Sequence, residues 1–191
     1  QLVLDGYDPY GFNAEYCDTG WNFSSHDELG LSNANLDWGW VSGHNSAGYT
    51  EFAERYEPAG GLQINGVFLN VAKAYASHPL AYIELKVWDG DLYPEKESYS
   101  KLLFINDFQP GKVNYVALDT VLKASGTFFI GYKLNYDTVS DTFALYHAVD
   151  RGYSQPSTMY VYKNGWSPSR EQFGMATSLA LGISECYGKV L

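Results

Sequence analysis

The segment AYIELKVWD (81–89) decides the fold class, because its side chains alternate between two faces. Ala81, Ile83, Leu85 and Val87 fall on one face, and Tyr82, Glu84, Lys86 and Trp88 fall on the other. A period of two residues predicts an antiparallel strand with one buried face. The segment GTFFIGYKLNY (126–136) repeats this pattern and predicts a second such strand.

Further strand candidates follow along the chain, separated by short turn signals such as Asp89-Gly90 and Asn164-Gly165. They are INGVFLNVAKA (64–74), YSKLLFIND (99–107), KVNYVALD (112–119), TFALYHAVD (142–150), STMYVYKNG (157–165) and SLALGIS (178–184). One segment, GYTEFAERYEPAGG (48–61), is also compatible with about two helical turns.

This pattern predicts an all-β fold, an antiparallel two-sheet β-sandwich of jelly-roll type with about 8–10 strands and little helix. We expect one domain over residues 1–191, in which residues 1–37 form an N-terminal edge strand and loops and residues 38–187 form the core.

Composition narrows the class of function. The 191 residues carry a formal net charge of -10, which disfavours nucleic acid and anionic membrane surfaces as partners. No apolar run reaches the roughly 18 residues of a transmembrane helix. The chain begins at Gln1 rather than Met and shows no signal-peptide pattern, so we expect a processed protein or a fragment. We expect a secreted or cell-surface protein.

The two cysteines, Cys17 and Cys186, stand near opposite ends of the chain. Two free thiols are the alternative in a cytosolic protein, but a bridge between the first and last strands suits a secreted β-domain. By chain-entropy arguments, closing so long a loop stabilises the fold by about 4–5 kcal/mol. We therefore predict a disulfide between them.

The sequence contains few candidate catalytic residues. No nucleophile elbow, P-loop or zinc-protease motif is present, and the four histidines are scattered along the chain. Acids that would serve a glycoside hydrolase are Asp37, Glu84, Asp89 and Asp91, but chance pairs of acids are common in so acidic a chain. We predict a non-catalytic protein and keep a glycoside hydrolase as the least favoured alternative.

Aromatic residues are abundant, with 17 tyrosines and 5 tryptophans. Part of this surplus suits the core of a β-sandwich, but aromatic rings in loops also stack on the C–H faces of sugars. The candidates for ligand binding are those in loops or on a polar strand face: Trp88, Asp89, Tyr93, Trp166, Trp38 and Trp40.

Acidic turns in the sequence are candidate calcium-binding sites. Asp89 and Asp91 are our candidate ligands for a structural Ca²⁺, although their loop lacks the spacing of an EF-hand. The turns DGYD (5–8) and NYDTVSD (135–141) are similar. Asp and Asn also favour turns without any ion, and we expect no required cofactor.

The segment WGWVSGHN (38–45) holds two indoles and His44. No nucleophile or orienting acid is recognisable near His44, so we interpret the segment mainly as a structural turn that its glycines and Asn45 favour. Trp38 and Trp40 stand two residues apart and would point the same way in an extended segment.

Six segments in order resemble a known module. They are WGWVSGHNSAGYTEFAERY (38–56), GGLQINGVFLNVAKAYA (60–76), IELKVWDGD (83–91), VSDTFALYHAVD (139–150), YVYKNGW (160–166) and TSLALGI (177–183). Together, over residues 38–185, they look like the β-sandwich accessory module found towards the C-terminal end of exported Bacteroidetes peptidases, glycosidases and adhesins. The chain departs from that pattern at Thr50, where the module has an acidic residue.

The resemblance implies an accessory module without catalytic residues, attached to a larger secreted protein. It suits a binding function for a glycan or cell-surface ligand. A structural spacer or adhesin domain that packs on a neighbouring secreted hydrolase is the alternative.

Overall fold

The computed structural model describes residues 12–137 and 140–190, and side chains within residues 17–186. The acidic turn DGYD (5–8) lies outside the described residues, and NYDTVSD (135–141) is described only in part.

Two antiparallel sheets pack against each other, which confirms the predicted β-sandwich class. The five-stranded sheet has the order β1 (Phe12–Gly20), β13 (Leu181–Val190), β4 (Leu62–Tyr75) and β7 (Lys112–Ala124), with β9 (Thr142–Leu145) also paired to β4. The six-stranded sheet has the order β12 (Trp166–Pro168), β11 (Met159–Tyr162), β3 (Glu51–Tyr56), β8 (Phe128–Leu134), β5 (Tyr82–Asp89) and β6 (Lys96–Phe104).

Short elements complete the described part of the chain. β2 (Leu29–Gly30) pairs with β10 (His147–Ala148), a 3-10 turn covers Ile105–Asp107, and α1 covers Ser169–Phe173. The thirteen strands within the described residues exceed the expected 8–10, because β2, β10 and β12 are only two or three residues long.

The alternation of β5 places its apolar face in the core. Ile83, Leu85 and Val87 are buried between the sheets, together with Leu69 and Val71 of β4. The side chains of β8 alternate in the same way, and its core face is formed by Phe128, Ile130, Tyr132 and Leu134. Burial of such aliphatic and aromatic side chains is the main contribution that holds the two sheets together.

The segment that was compatible with a helix is strand β3, between β11 and β8. Phe52, Glu54 and Tyr56 point into the sandwich and are buried, while Arg55 lies on the outer side. Glutamate, alanine and arginine favour helices in isolation, but pairing with two neighbouring strands overrides that preference.

Cys17 and Cys186 form a disulfide, as predicted, and are register partners in the pairing of β1 with β13. The side-chain amide of Asn65 on β4 donates a hydrogen bond to Sγ of Cys186 at 3.3 Å. The bridge therefore fixes the edge strand β1 to the interior of the five-stranded sheet.

Candidate functional site

The outer side of the six-stranded sheet carries a layer of six rings, which we call the aromatic face. Its members are Trp88, Tyr93, Phe129, Tyr160, Tyr162 and Trp166. Three of the six predicted ligand-binding residues, Trp88, Tyr93 and Trp166, are thus brought to one surface.

A small residue, Ala53, lies beneath this layer. Trp88 on β5 and Trp166 on β12 come from strands with three others between them, yet their ring centroids are only 5.2 Å apart. Neighbouring strands lie about 4.8 Å apart, so the two indoles must lean toward each other across the sheet. Ala53 of β3 packs with Trp88 and Phe129, and Trp166 packs against the same cluster, so a small side chain occupies the space beneath the indoles.

The rings pack edge to face. Tyr162 contacts Trp166 with centroids 5.4 Å apart, Tyr160 contacts Phe129 at 5.3 Å, and Tyr93 contacts Tyr160 at 6.0 Å. Aromatic pairs favour this geometry, so each ring holds its neighbour in place. The layer is formed before any ligand arrives, which lowers the entropy cost of binding.

Exposure divides the aromatic face into a base and an upper surface. Phe129 and Trp88 are 0% and 5% exposed, whereas Tyr160, Tyr162 and Trp166 are half-buried and Tyr93 is 41% exposed. Trp88 is covered by neighbouring rings and supports Trp166 from within the layer. Its predicted role in ligand binding stays a prediction.

The loop between β5 and β6 holds Tyr93 in position. Nε and Nη2 of Arg55 donate hydrogen bonds to the carbonyl oxygen of Asp91 at 3.1 and 2.9 Å. The backbone N–H of Glu95 donates to the carbonyl oxygen of Asp89 at 2.9 Å. A Cβ atom at Gly90 would lie 1.9 Å from the carbonyl oxygen of Tyr93, so only glycine fits this tight closure.

The side chains of Asp89 and Asp91 are exposed in this loop. Within the described residues, no group of three or more histidine, cysteine, aspartate or glutamate side chains is arranged to hold a metal ion. Calcium binding by Asp89 and Asp91 stays a prediction.

A charged border runs beside the rings. Nζ of Lys86 lies 2.7 Å from Oε2 of Glu97 and 3.7 Å from Oε2 of Glu84, whose Oε1 is 3.9 Å from Nζ of Lys133. Burial raises the pKa of the nearby Glu51. Carboxylates and ammonium groups at the edge of a stacking surface are suitable partners for sugar hydroxyls.

The acids considered for hydrolysis do not gather in a cleft. Glu84 is held between two lysines, Asp37 lies in the turn before β3, and Asp89 and Asp91 lie in the β5–β6 loop. None of these four acids lines any of the clefts described below.

A small cleft adjoins Trp166 at the β11–β12 hairpin. It has a volume of about 270 Å³ and is lined by Trp166, Tyr49, Lys163, Asn164, Ser167 and Gln172, among others. The hydroxyl of Tyr49 donates to Oε1 of Gln172 at 2.8 Å, and Nζ of Lys163 lies 5.8 Å from the centre of the Tyr49 ring. An indole beside hydroxyl, amide and ammonium groups is suited to a polar ring-shaped ligand.

Trp38 and Trp40 lie in the turn before β3, and among the described ring contacts neither packs against the aromatic face. Trp38 is 52% exposed, while Trp40 is half-buried with Nζ of Lys73 at 5.8 Å from its ring centre. Trp38 and Trp40 would point the same way only in an extended segment. The positive φ of Gly39, between them, interrupts that extended geometry. Their role in ligand binding stays a prediction.

His44 has a structural environment. It is 3% exposed, its Nε2–H donates to the carbonyl oxygen of Asn135 at 2.7 Å, and its Nδ1 accepts the N–H of Phe143 at 2.9 Å. Burial lowers the pKa of His44. Both ring nitrogens bind the backbone, so the neutral imidazole links the segment after β8 to strand β9.

Sequence reasoning missed Tyr160 and Tyr162. They occupy the outward positions of STMYVYKNG (157–165), so strand alternation alone contained the signal. Their contacts with Tyr93 and Trp166 depend on tertiary structure.

It also missed Glu54, a buried acid within strand β3. Its Oε1 accepts hydrogen bonds from the amide of Asn22 at 2.7 Å and from the hydroxyl of Thr158, and its Oε2 accepts the N–H of Leu179 at 2.8 Å. Burial, opposed by these hydrogen bonds, raises the pKa of Glu54 to about 7. This acid braces three distant segments of the chain.

No family model, curated protein or solved structure matches this chain. Among the described residues, no helix is long and apolar enough to cross a membrane.

Proposed function

We propose that this protein is a non-catalytic, extracellular binding module that recognises a glycan or glycan-bearing cell-surface ligand through its aromatic face. The observation that carries this proposal is the preformed ring layer, in which buried Trp88 and Phe129 support Tyr93, Tyr160 and Trp166 at the surface.

The chemistry of this surface favours sugars. A pyranose ring offers C–H groups to an aromatic face and hydroxyls at its rim. The half-buried indole of Trp166 stacks on the C–H groups of the sugar. The amides and hydroxyl of the adjacent cleft form hydrogen bonds with its hydroxyls. The disulfide and the resemblance to an exported Bacteroidetes module support a location outside the cell.

A structural spacer that packs on a neighbouring domain is the second candidate. Leu102 and Phe104 of the edge strand β6 and Val113 and Tyr115 of the edge strand β7 are 37–51% exposed. A neighbouring domain would cover such a patch. Deleting this module from its parent protein would then impair the folding of the adjoining domain.

Trp166→Ala tests the glycan proposal, with binding followed by affinity electrophoresis in β-glucan, xylan, mannan and pectin and by retention on chitin. We expect at least one polysaccharide to retain the wild-type protein, and the variant to bind it about tenfold or more weakly, as for an aromatic hot spot.

Tyr75→Ala is the control, because Tyr75 is an exposed aromatic residue at the end of β4, outside the aromatic face. It should leave retention unchanged. Retention by none of the polysaccharides, or equal retention of wild type and Trp166→Ala, would contradict the proposal.

A further inference from the structure

Two clefts on the described surface share Trp21 and Asn22, the residues that follow β1. One has a volume of about 700 Å³ and extends toward Arg151, and the other has a volume of about 380 Å³ and extends toward Gly60. Because the same two residues line both, we treat the clefts as one feature and call it the Trp21 groove.

The indole of Trp21 has a fixed position in this groove. A Cβ atom at residue 182 would lie 2.8 Å from the ring, so Gly182 lets the indole lie flat on the five-stranded sheet. Phe23 flanks it with centroids 4.8 Å apart, and Phe68 of β4 flanks it at 6.2 Å. The half-buried indole is therefore supported from below and from both sides.

Asn22 is fixed as well. Its Nδ2 donates to Oε1 of Glu54 and to the carbonyl oxygen of Arg55, both at 2.7 Å. Its own carbonyl oxygen accepts Nη2 of Arg151 at 3.2 Å. The wall of the groove is thus tied to the buried polar network and needs little rearrangement to receive a ligand.

The charge of the groove argues against anions. Arg151 binds Asp27 in a bidentate ion pair, with Nε to Oδ1 at 2.7 Å and Nη2 to Oδ2 at 3.0 Å. The guanidinium is therefore already matched, and it holds the pKa of Asp27 down at about 2. Glu28 and Asp150 add negative charge to the lining of the larger cleft.

We infer that the Trp21 groove is a second glycan-binding site, which takes a neutral polysaccharide chain with one sugar over Trp21 and its neighbours in the two clefts. The inference rests on the proposed glycan-binding function but on a different surface from the aromatic face. An indole flanked by two clefts fits the inner part of a chain, since a single sugar would fill only one of them.

The test uses the whole protein and four neutral hexasaccharides, cellohexaose, xylohexaose, mannohexaose and chitohexaose, with hexagalacturonate as the anionic comparison. Calorimetric titrations compare wild type with Trp21→Ala, Gln155→Ala, Trp166→Ala and the control Tyr75→Ala, whose residue is exposed and lines neither cleft of the groove. Gln155 is exposed and lines the larger cleft, so its truncation should not disturb folding.

We expect a neutral hexasaccharide to bind about tenfold more weakly to Trp21→Ala and several-fold more weakly to Gln155→Ala, with Tyr75→Ala unchanged. Trp166→Ala should retain the hexasaccharide binding at the Trp21 groove that Trp21→Ala loses. Far-ultraviolet circular dichroism and thermal unfolding report whether each variant folds. If Trp21→Ala does not fold, the affinity of Gln155→Ala for the hexasaccharides decides whether the groove binds them.

Wild-type affinity in both Trp21→Ala and Gln155→Ala would overturn the second site, while leaving the aromatic face open to its own test. Loss in Trp21→Ala with no change in Trp166→Ala would support the groove and contradict the aromatic face. Binding of none of the neutral chains, or tighter binding of hexagalacturonate through Trp21, would also overturn the inference.

Discussion

Replacing both cysteines with serine, Cys17→Ser together with Cys186→Ser, is expected to lower the free energy of unfolding by about 4–5 kcal/mol. The disulfide joins residues separated by 169 positions, so it removes a large part of the freedom of the unfolded chain. In the folded state it also holds β1 at the edge of its sheet. Urea denaturation of the two proteins without reductant measures the difference.

Wild-type protein treated with a reductant is the control, and it should lose stability by a similar amount. A double variant is used because either single variant would leave a reactive thiol. A loss below about 1 kcal/mol would contradict the expected stabilisation. Two reactive thiols in the denatured, unreduced wild type would contradict the bridge itself.

The protein is expected to lose about 3 kcal/mol of stability through Glu54 alone as the pH rises from about 4.5 to about 7. The pKa of Glu54 rises from 4.5 to about 7 in the folded state, because its carboxyl group is fully buried. Between these values the folded state binds more protons than the unfolded state. This stabilisation is complete below the unfolded pKa and is lost as the pH rises through the folded pKa.

Glu54→Gln removes this titration. Urea denaturation of both proteins between pH 4.5 and pH 8 should show wild type losing about 3 kcal/mol relative to the variant across that range. His44 and His147, whose pKa values burial lowers, titrate in both proteins and so cancel in the difference. If the free energy of unfolding changed with pH in the same way in wild type and variant, the raised pKa of Glu54 would be contradicted.

The parts of the fold that sequence could predict are those in which local pattern and tertiary burial agree. In β5 and β8 one face consists of large apolar side chains, and this face is the one that meets the opposite sheet. In β3, the residues EFAERY (51–56) contain good helix formers, and Glu54 occupies an inward position. Local preference and tertiary role disagree there, so the strand was not evident.

The disulfide was predictable because its two residues lie near the chain ends, where a bridge constrains the unfolded state most. Glu54 was not predictable, because its partners Asn22, Thr158 and Leu179 come from three remote segments. No local pattern distinguishes this acid from the exposed ones.

The candidate site was predictable only in part. Trp88, Tyr93 and Trp166 stood out as aromatics outside the core pattern, and the fold brings them to one face. That Trp88 lies beneath its neighbours depends on tertiary packing, in which the small side chain of Ala53 lies in the same buried cluster as Trp88 and Phe129. Such complementarity appears only when the strands are in register.

The central claim, that the aromatic face binds a glycan, is tested most directly by the indole N–H signals of the five tryptophans in a proton–nitrogen correlation spectrum. The four neutral hexasaccharides are titrated in turn, and single Trp→Phe variants assign the signals. At least one hexasaccharide should shift the Trp166 signal saturably. A Trp166 signal unmoved by every hexasaccharide, or shifts confined to Trp38 and Trp40, would contradict the claim.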